Sequence, residues 1–195
     1  VKGAEAYSFS SDYPENAAAQ NTLLPVTRNA IGSMDYTPVT FSDQRYPHLT
    51  TWAHELALSV AFESGIQHMA DRVSAYTSLP AAPKTFLQQV PVAWDETRYL
   101  QGMPGKEIAI ARRKGETWYI AGLNGENTEK EMTVEIDFLN SGTYAMTLIA
   151  DGETTTTFSS SEQNMEAGSG QMVKMLPYGG FVMKLTPVLQ NTAGL

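Results

Sequence analysis

Met132-Thr133-Val134-Glu135-Ile136-Asp137-Phe138 alternates apolar and polar residues without a break. A period of two puts Met132, Val134, Ile136 and Phe138 on one face, the pattern of a strand with one side toward a core. The same grammar continues upstream: Glu107-Ile108-Ala109-Ile110-Ala111-Arg112 alternates, Thr117-Trp118-Tyr119-Ile120-Ala121 is rich in strand formers, and Asn124-Gly125 is a turn. Downstream, Thr143 to Ala150, Gln171 to Leu176 and Gly180 to Leu185 read as further strands, and Asp151-Gly152 is a second hairpin signal. Six or more short strands separated by Gly and Asn turns predict an antiparallel β-sandwich.

Ahead of the break at Ser78-Leu79-Pro80-Ala81-Ala82-Pro83 the period changes. From Thr50 or Thr51 to Ser64, the residues Ala53, Leu56, Ala57, Val60 and Ser64 recur at helical spacing on one face. A threonine caps the start and Gly65 is placed to end the helix. Ile66 to Tyr76 reads as a second, shorter helix, and residues 1–50 as loop-rich, with a helix start at Tyr13-Pro14-Glu15-Asn16. The chain thus divides into residues 1–80 and an all-β domain, residues 81–195.

Length and charge narrow the function. A chain of 195 residues holds one large domain or two small ones. With 42% hydrophobic and 17% charged residues it has the composition of a globular core. The net charge of −8 argues against nucleic acid, whose phosphates need a basic face, and is compatible with a neutral substrate such as a sugar. No cysteine is present, which excludes disulfides and thiolate metal sites. No apolar run reaches the ~20 residues of a spanning helix. The chain begins at Val1 inside a loop, and we read it as a C-terminal fragment whose cellular address must be sought in the parent.

Few candidates for chemistry stand out. Glu5 follows Gly3-Ala4 on a small-residue loop that a sugar can approach, although a lone Glu near a terminus is ordinarily a solvated charge. Arg28 could fork to sugar hydroxyls or hold a carboxylate, and Asp35 could act likewise from a loop ending in Thr37-Pro38; the alternative is that both brace the local fold. Glu55 and Glu63 lie about two turns apart and differ in helical phase, so they are not a catalytic pair. His48, His54 and His68 lack a short metal-binding spacing and are expected on the surface or in helix packing. Trp94, Trp118 and Tyr119 could stack on a sugar ring, but a strand tryptophan more often fills a sandwich core.

Four motifs carry a resemblance. Leu24-Pro25-x-Thr27-Arg28-x-x-x-Gly32-x-Met34-Asp35-Tyr36-Thr37-Pro38 comes first, then Ala53-His54-Glu55-Leu56-Ala57 leading to Phe62-Glu63-Ser64-Gly65-Ile66-Gln67. Val90-Pro91-x-x-Trp94-Asp95-Glu96-Thr97 and Ala111-Arg112-Arg113-x-Gly115-x-x-Trp118-Tyr119 follow in order. Together they resemble glycoside hydrolase family 97, the α-glucosidases and α-galactosidases of bacterial glycan-degrading systems. The resemblance covers residues 1 to about 123 and is only compositional beyond them.

It implies an α+β fragment: the C-terminal end of a (β/α)8 barrel in residues 1–80, followed by an antiparallel β-sandwich domain. About 80 residues cannot close a barrel, which needs ~250, so they must lean on the β-domain or on other chain. It implies that Glu5 is the general acid, since Val1-Lys2-Gly3-Ala4-Glu5 matches the end of the family's Glu-Gly-x-x-Gly-x-Glu motif. It further implies an oligosaccharide substrate, for which Arg28 and Asp35 are the residue-level candidates as substrate contacts beside the structural alternative, and a bacterial periplasmic or secreted setting. Ca2+ is the implied cofactor, with Glu5 as one ligand and most others outside the chain. The N-terminal remainder of the parent would be a partner, and the isolated fragment inactive. The competing reading is a non-catalytic carbohydrate-binding or structural β-sandwich.

Overall fold

The computed structural model describes residue 3 and residues 6–37, 39–43 and 45–188. Its first half is helical: α1 (Ala6–Phe9), α2 (Tyr13–Leu23), α3 (Arg28–Ile31), α4 (Trp52–Ala61), α5 (Val73–Thr77) and α6 (Ala81–Gln89). Eight strands follow: β1 (Glu96–Met103), β2 (Glu107–Lys114), β3 (Thr117–Asn124), β4 (Lys130–Glu135), β5 (Thr143–Asp151), β6 (Phe158–Glu166), β7 (Gly170–Met175) and β8 (Gly180–Pro187). Six form one antiparallel sheet in the order β1-β2-β3-β8-β5-β6, and β4 pairs with β7 in a second, two-stranded sheet.

The expected sandwich is present, with a third layer added. On one face of the large sheet, Ala109, Ala111, Trp118, Ile120, Phe181, Met183 and Leu185 pack against Met132, Val134, Val173 and Met175 of the small sheet. On the other, Ile108, Ile110, Tyr119, Ala121, Leu123 and Val182 pack against Leu56, Ala57, Leu58, Val60 and Ala61 of α4. β2, β3 and β8 are therefore covered on both sides, whereas β4 shows the alternating burial of a strand with one wet face. Burial of each large side chain here stabilises by about 1.5–3 kcal/mol. Gly122 lies opposite Phe181 in the β3–β8 ladder, and the phenyl ring occupies the space a Cβ would need.

α4 begins where the sequence suggests: the Thr51 hydroxyl accepts from the His54 amide at 3.0 Å. It does not run to Ser64. Phe62 turns extended (φ −93°, ψ 135°), and the end is set by Arg112 from β2 rather than by Gly65. Residues 62–72 are irregular where a helix was expected, and α5 occupies only Val73–Thr77. α6 is a helix that the strand-like reading beyond Pro83 overlooked; its buried residues are Pro83 and Phe86.

The expectation of a barrel's closing strands is corrected by the structure. Between residues 6 and 95 the described residues form no strand, only an isolated parallel bridge between Tyr36 and Gln67. A parallel ladder needs neighbours on both edges and cover on both faces, and no described residue supplies them. What this chain builds by itself is an antiparallel β-domain seated on a layer of short helices.

Candidate functional site

Around Glu63, the two family-like segments of the helical half are tied together. The Asn29 side chain clamps the Glu63 backbone: its amide nitrogen donates to the Glu63 carbonyl at 2.9 Å, and its oxygen accepts from the Glu63 amide at 3.0 Å. The Met34 amide donates to the same carbonyl, and the Ser33 hydroxyl reaches the Glu63 carboxylate at 3.2 Å. From the sheet side comes Arg112, 1% exposed. Its guanidinium donates to the Val60 carbonyl (2.7 Å), the Ala61 carbonyl (2.9 Å), the Thr97 hydroxyl (2.7 Å) and the Glu63 carboxylate (3.3 Å). Burial lowers the Arg112 pKa to about 10, with Glu63 opposing the shift, so the side chain stays cationic near neutrality. It satisfies the orphan carbonyls at the end of α4 and couples that helix to β2.

Arg28 and Asp35 stand on the rim of this knot, both exposed. The Arg28 guanidinium donates to the Gly32 and Ser33 carbonyls at 3.2 and 3.0 Å. Those bonds hold it against its own loop, leaving further N–H donors over the surface. Asp35 precedes Tyr36, whose ring packs edge-on against Phe62 with centroids 4.5 Å apart. Glu5, assigned both the catalytic and the metal-binding role, lies outside the described residues.

At the other end of α4, the buried Thr51 and His54 and the half-buried Asp151 dock the helix onto the β7–β8 turn. The Thr51 hydroxyl donates to Asp151 at 2.5 Å, while the Leu176 and Gly180 amides donate to the other Asp151 oxygen at 2.9 and 3.1 Å. Burial outweighs these donors and pushes the Asp151 pKa up to about 6. His54, fully buried, donates from Nδ1 to the Gly179 carbonyl at 3.1 Å, which leaves Nε2 to accept from the Asn21 amide at 3.0 Å. Desolvation lowers its pKa to about 4, so it is a neutral packing residue. Glu55 is buried rather than solvated: it accepts from the Thr50 hydroxyl at 2.6 Å, and desolvation raises its pKa.

A cation's needs and a sugar's needs can be tested against these residues. Among the described residues no three His, Cys, Asp or Glu side chains converge as a metal cage. A calcium ion wants six to eight oxygens, so these residues do not hold one by themselves. Trp118 is 6% exposed, with Phe138 edge-on to it and the Arg98 and Arg113 guanidiniums over its ring at 5.4 and 5.8 Å. It lines a cleft of about 550 Å³ but offers no bare face for a sugar. Trp94 packs against Tyr119 at 5.4 Å.

Sequence reasoning missed Arg112 and Asp151 as the residues that join the halves. The signal for Arg112 was its parity: it falls on the same face of β2 as Ile108 and Ile110, toward α4. Asp151 looked like one half of a hairpin turn.

Fold and site together define an accessory β-domain on a helical platform, with its polar chemistry devoted to joining the two. The family model described as "Glycosyl-hydrolase 97 C-terminal, oligomerisation" matches residues 93–186. A probable retaining α-galactosidase of Streptomyces bingchenggensis (strain BCW-1) is 44% identical over 138 residues, 70% of this chain and 21% of that protein. Among solved structures, a β-arabinopyranosidase superposes with a TM-score of 0.82 at 25% identity, covering 93% of this chain and 30% of that one. A family 97 enzyme from Pseudoalteromonas sp. strain K8, in complex with panose, superposes at 0.79 and 25% identity, covering 88% and 29%. The chain belongs to glycoside hydrolase family 97 and carries a C-terminal portion of it. It spans less than a third of the length of the relatives it matches.

Proposed function

We propose that this chain is the C-terminal portion of a glycosidase that cleaves α-galactosidic or α-glucosidic bonds in oligosaccharides with retention at the anomeric centre. The observation that carries the reading is the 44% identity over 138 residues to a probable retaining α-galactosidase. In this reading residues 81–195 are the parent's all-β domain, and the described part of residues 1–80 is the helical layer that joins it to the rest of the parent.

Glu5 is the general acid, giving its proton to the departing glycosidic oxygen. The second carboxylate lies outside this chain, about 5–5.5 Å from the first if the stereochemistry is retained. Arg28 and Asp35 face the substrate from the rim, an assignment supported by their exposure and by the backbone bonds that hold the Arg28 guanidinium. Glu5 is also the calcium ligand this chain contributes, and the remaining ligands come from elsewhere in the parent. The β-domain serves assembly of the protein into oligomers, as the family description suggests. The parent works in a bacterial periplasm or outside the cell, and the fragment alone is inactive.

The test is an assay of the intact parent on p-nitrophenyl α-galactoside and α-glucoside, with and without a calcium chelator. Loss of a general acid costs on the order of 10²–10⁴ in rate, so Glu5→Gln should cripple turnover while leaving the melting temperature in place. Wild-type turnover by that variant removes Glu5 from the mechanism.

A further inference from the structure

The two outer edges of the six-stranded sheet differ. β1 is blunted: its ladder with β2 is broken by a bulge between Tyr99 and Gln101. The Tyr99 hydroxyl donates to the Gly102 carbonyl at 2.6 Å, and the Gln101 amide reaches across to the Thr133 carbonyl at 2.7 Å. Bulges and occupied backbone groups are how sheets close an edge. β6 has no bulge, and the backbone group capped from outside the ladder is the Glu166 carbonyl at its C-terminal end, which accepts from the Ser169 amide and hydroxyl at 3.1 and 2.6 Å. The strand runs nine residues, Phe158-Ser-Ser-Ser-Glu-Gln-Asn-Met-Glu166, in unbroken register with β5. It contains no proline and no lysine, and seven of its nine residues are exposed. Among the described residues no strand pairs with its far side.

We propose that β6 is the assembly strand: two copies of this chain pair antiparallel through the outer edges of β6 about a two-fold axis, joining their large sheets into one. The proposal rests on the oligomerisation reading above and says which surface performs it. A two-fold contact is self-complementary, so an edge strand can serve both partners at once. Charge narrows the register. Glu162 and Glu166 share one face of β6 with Ser160 and Asn164. An axis at Glu162 sets that carboxylate against itself, and an axis at Asn164 sets Glu162 against the partner's Glu166. Like charges directly opposite destabilise a ladder. An axis at Gln163 pairs residues 160–166 and places Glu162 against the partner's Asn164 and Glu166 against the partner's Ser160. Both carboxylates then meet a hydrogen-bond donor.

Sedimentation velocity on the full-length protein over a range of concentrations tests this. Asn164→Glu sets two pairs of like charges across the interface and should raise the dissociation constant at least tenfold. Glu162→Asn combined with Asn164→Glu restores the Asn–Glu pairing with the partners exchanged and should recover association. Matching thermal melts separate loss of pairing from loss of fold, and Ser160→Glu, which faces Glu166, is an independent second probe. A wild-type protein monomeric at every concentration refutes the oligomerisation reading and this proposal with it. An oligomer indifferent to Asn164→Glu and Ser160→Glu leaves the reading standing and overturns the β6 edge. Failure of the double variant to recover overturns the register.

Discussion

In the β-domain, each strand lies beside an antiparallel partner, with a bulge interrupting the β1–β2 ladder, and neighbours such as β2 and β3 are joined by turns a few residues long. Residues 6–92 are assembled differently. Their helices are short, and distant loops are held by polar bonds: Asn29 to Glu63, Asp71 to the Phe41 and Ser42 amides at 2.8 Å, and Arg112 to the end of α4. The contrast shows that the helical half takes its shape from the sheet it sits on. α4 supplies the shared core, and its two ends are fastened to β2 and to the β7–β8 turn by buried charge.

The largest effect is expected where the two halves meet. Arg112→Met keeps an unbranched side chain of similar length but strands the Val60 and Ala61 carbonyls and the Glu63 carboxylate. Each buried carbonyl left without its donor costs about 1–3 kcal/mol, and denaturant melts should show it. A two-state melt within error of wild type would mean that the halves do not depend on this side chain. Gly180→Ala comes next, because a Cβ there would lie 2.8 Å from His54 Cα, where α4 crosses β8. Overpacking of this kind costs about 1–3 kcal/mol, read in the same experiment.

A pH series sharpens the comparison further. Desolvation raises Asp151 to about 6, above the 3.8 of a free carboxyl. Its contribution to stability is therefore present below about 4 and lost as pH rises through 6. His54 has the opposite sign: lowered to about 4 by burial, it favours the fold above 6.5 and ceases to as pH falls through 4. Glu55, raised by burial, acts in the same direction as Asp151. Melting temperatures between pH 4 and 7 should rise more steeply with pH in Asp151→Asn than in wild type, and less steeply in His54→Gln. Identical slopes in all three proteins would remove both groups from the linkage. At the bottom of the scale, Lys174→Ala removes a pair to Glu131 in which both side chains are largely exposed, and the melt should not move.

Much of the β-domain was legible because its code is local. Period-two alternation announced β2 and β4, and Asp151-Gly152 marked the β5–β6 hairpin, whereas the connection after Asn124-Gly125 leads to β4 of the small sheet rather than to a strand paired with β3. β6 was not named, since Ser159 to Asn164 is polar on both faces and no alternation survives there. α6 was missed because prolines at its start resembled a linker. The early end of α4 was invisible for another reason: the arginine that caps it lies fifty residues further along the chain. Of the candidate site, Arg28 and Asp35 were found, exposed at the start of α3 and on the loop after it, while Asn29 fell at an unspecified position of its motif and Arg112 was quoted in a motif with no role, because its partners lie about fifty residues away in sequence.

By itself the sequence determined most of the segments that become strands, where α4 starts, and which family the chain resembles. These follow from side-chain period, capping and short motifs, all readable within a dozen residues. Only the tertiary structure decided that β2, β3 and β8 are buried on both faces, that Asp151 and Arg112 hold the two ends of α4, and that β6 is left with an open edge. Each of those outcomes depends on which distant segment removes water from a given face, and no local pattern carries that information.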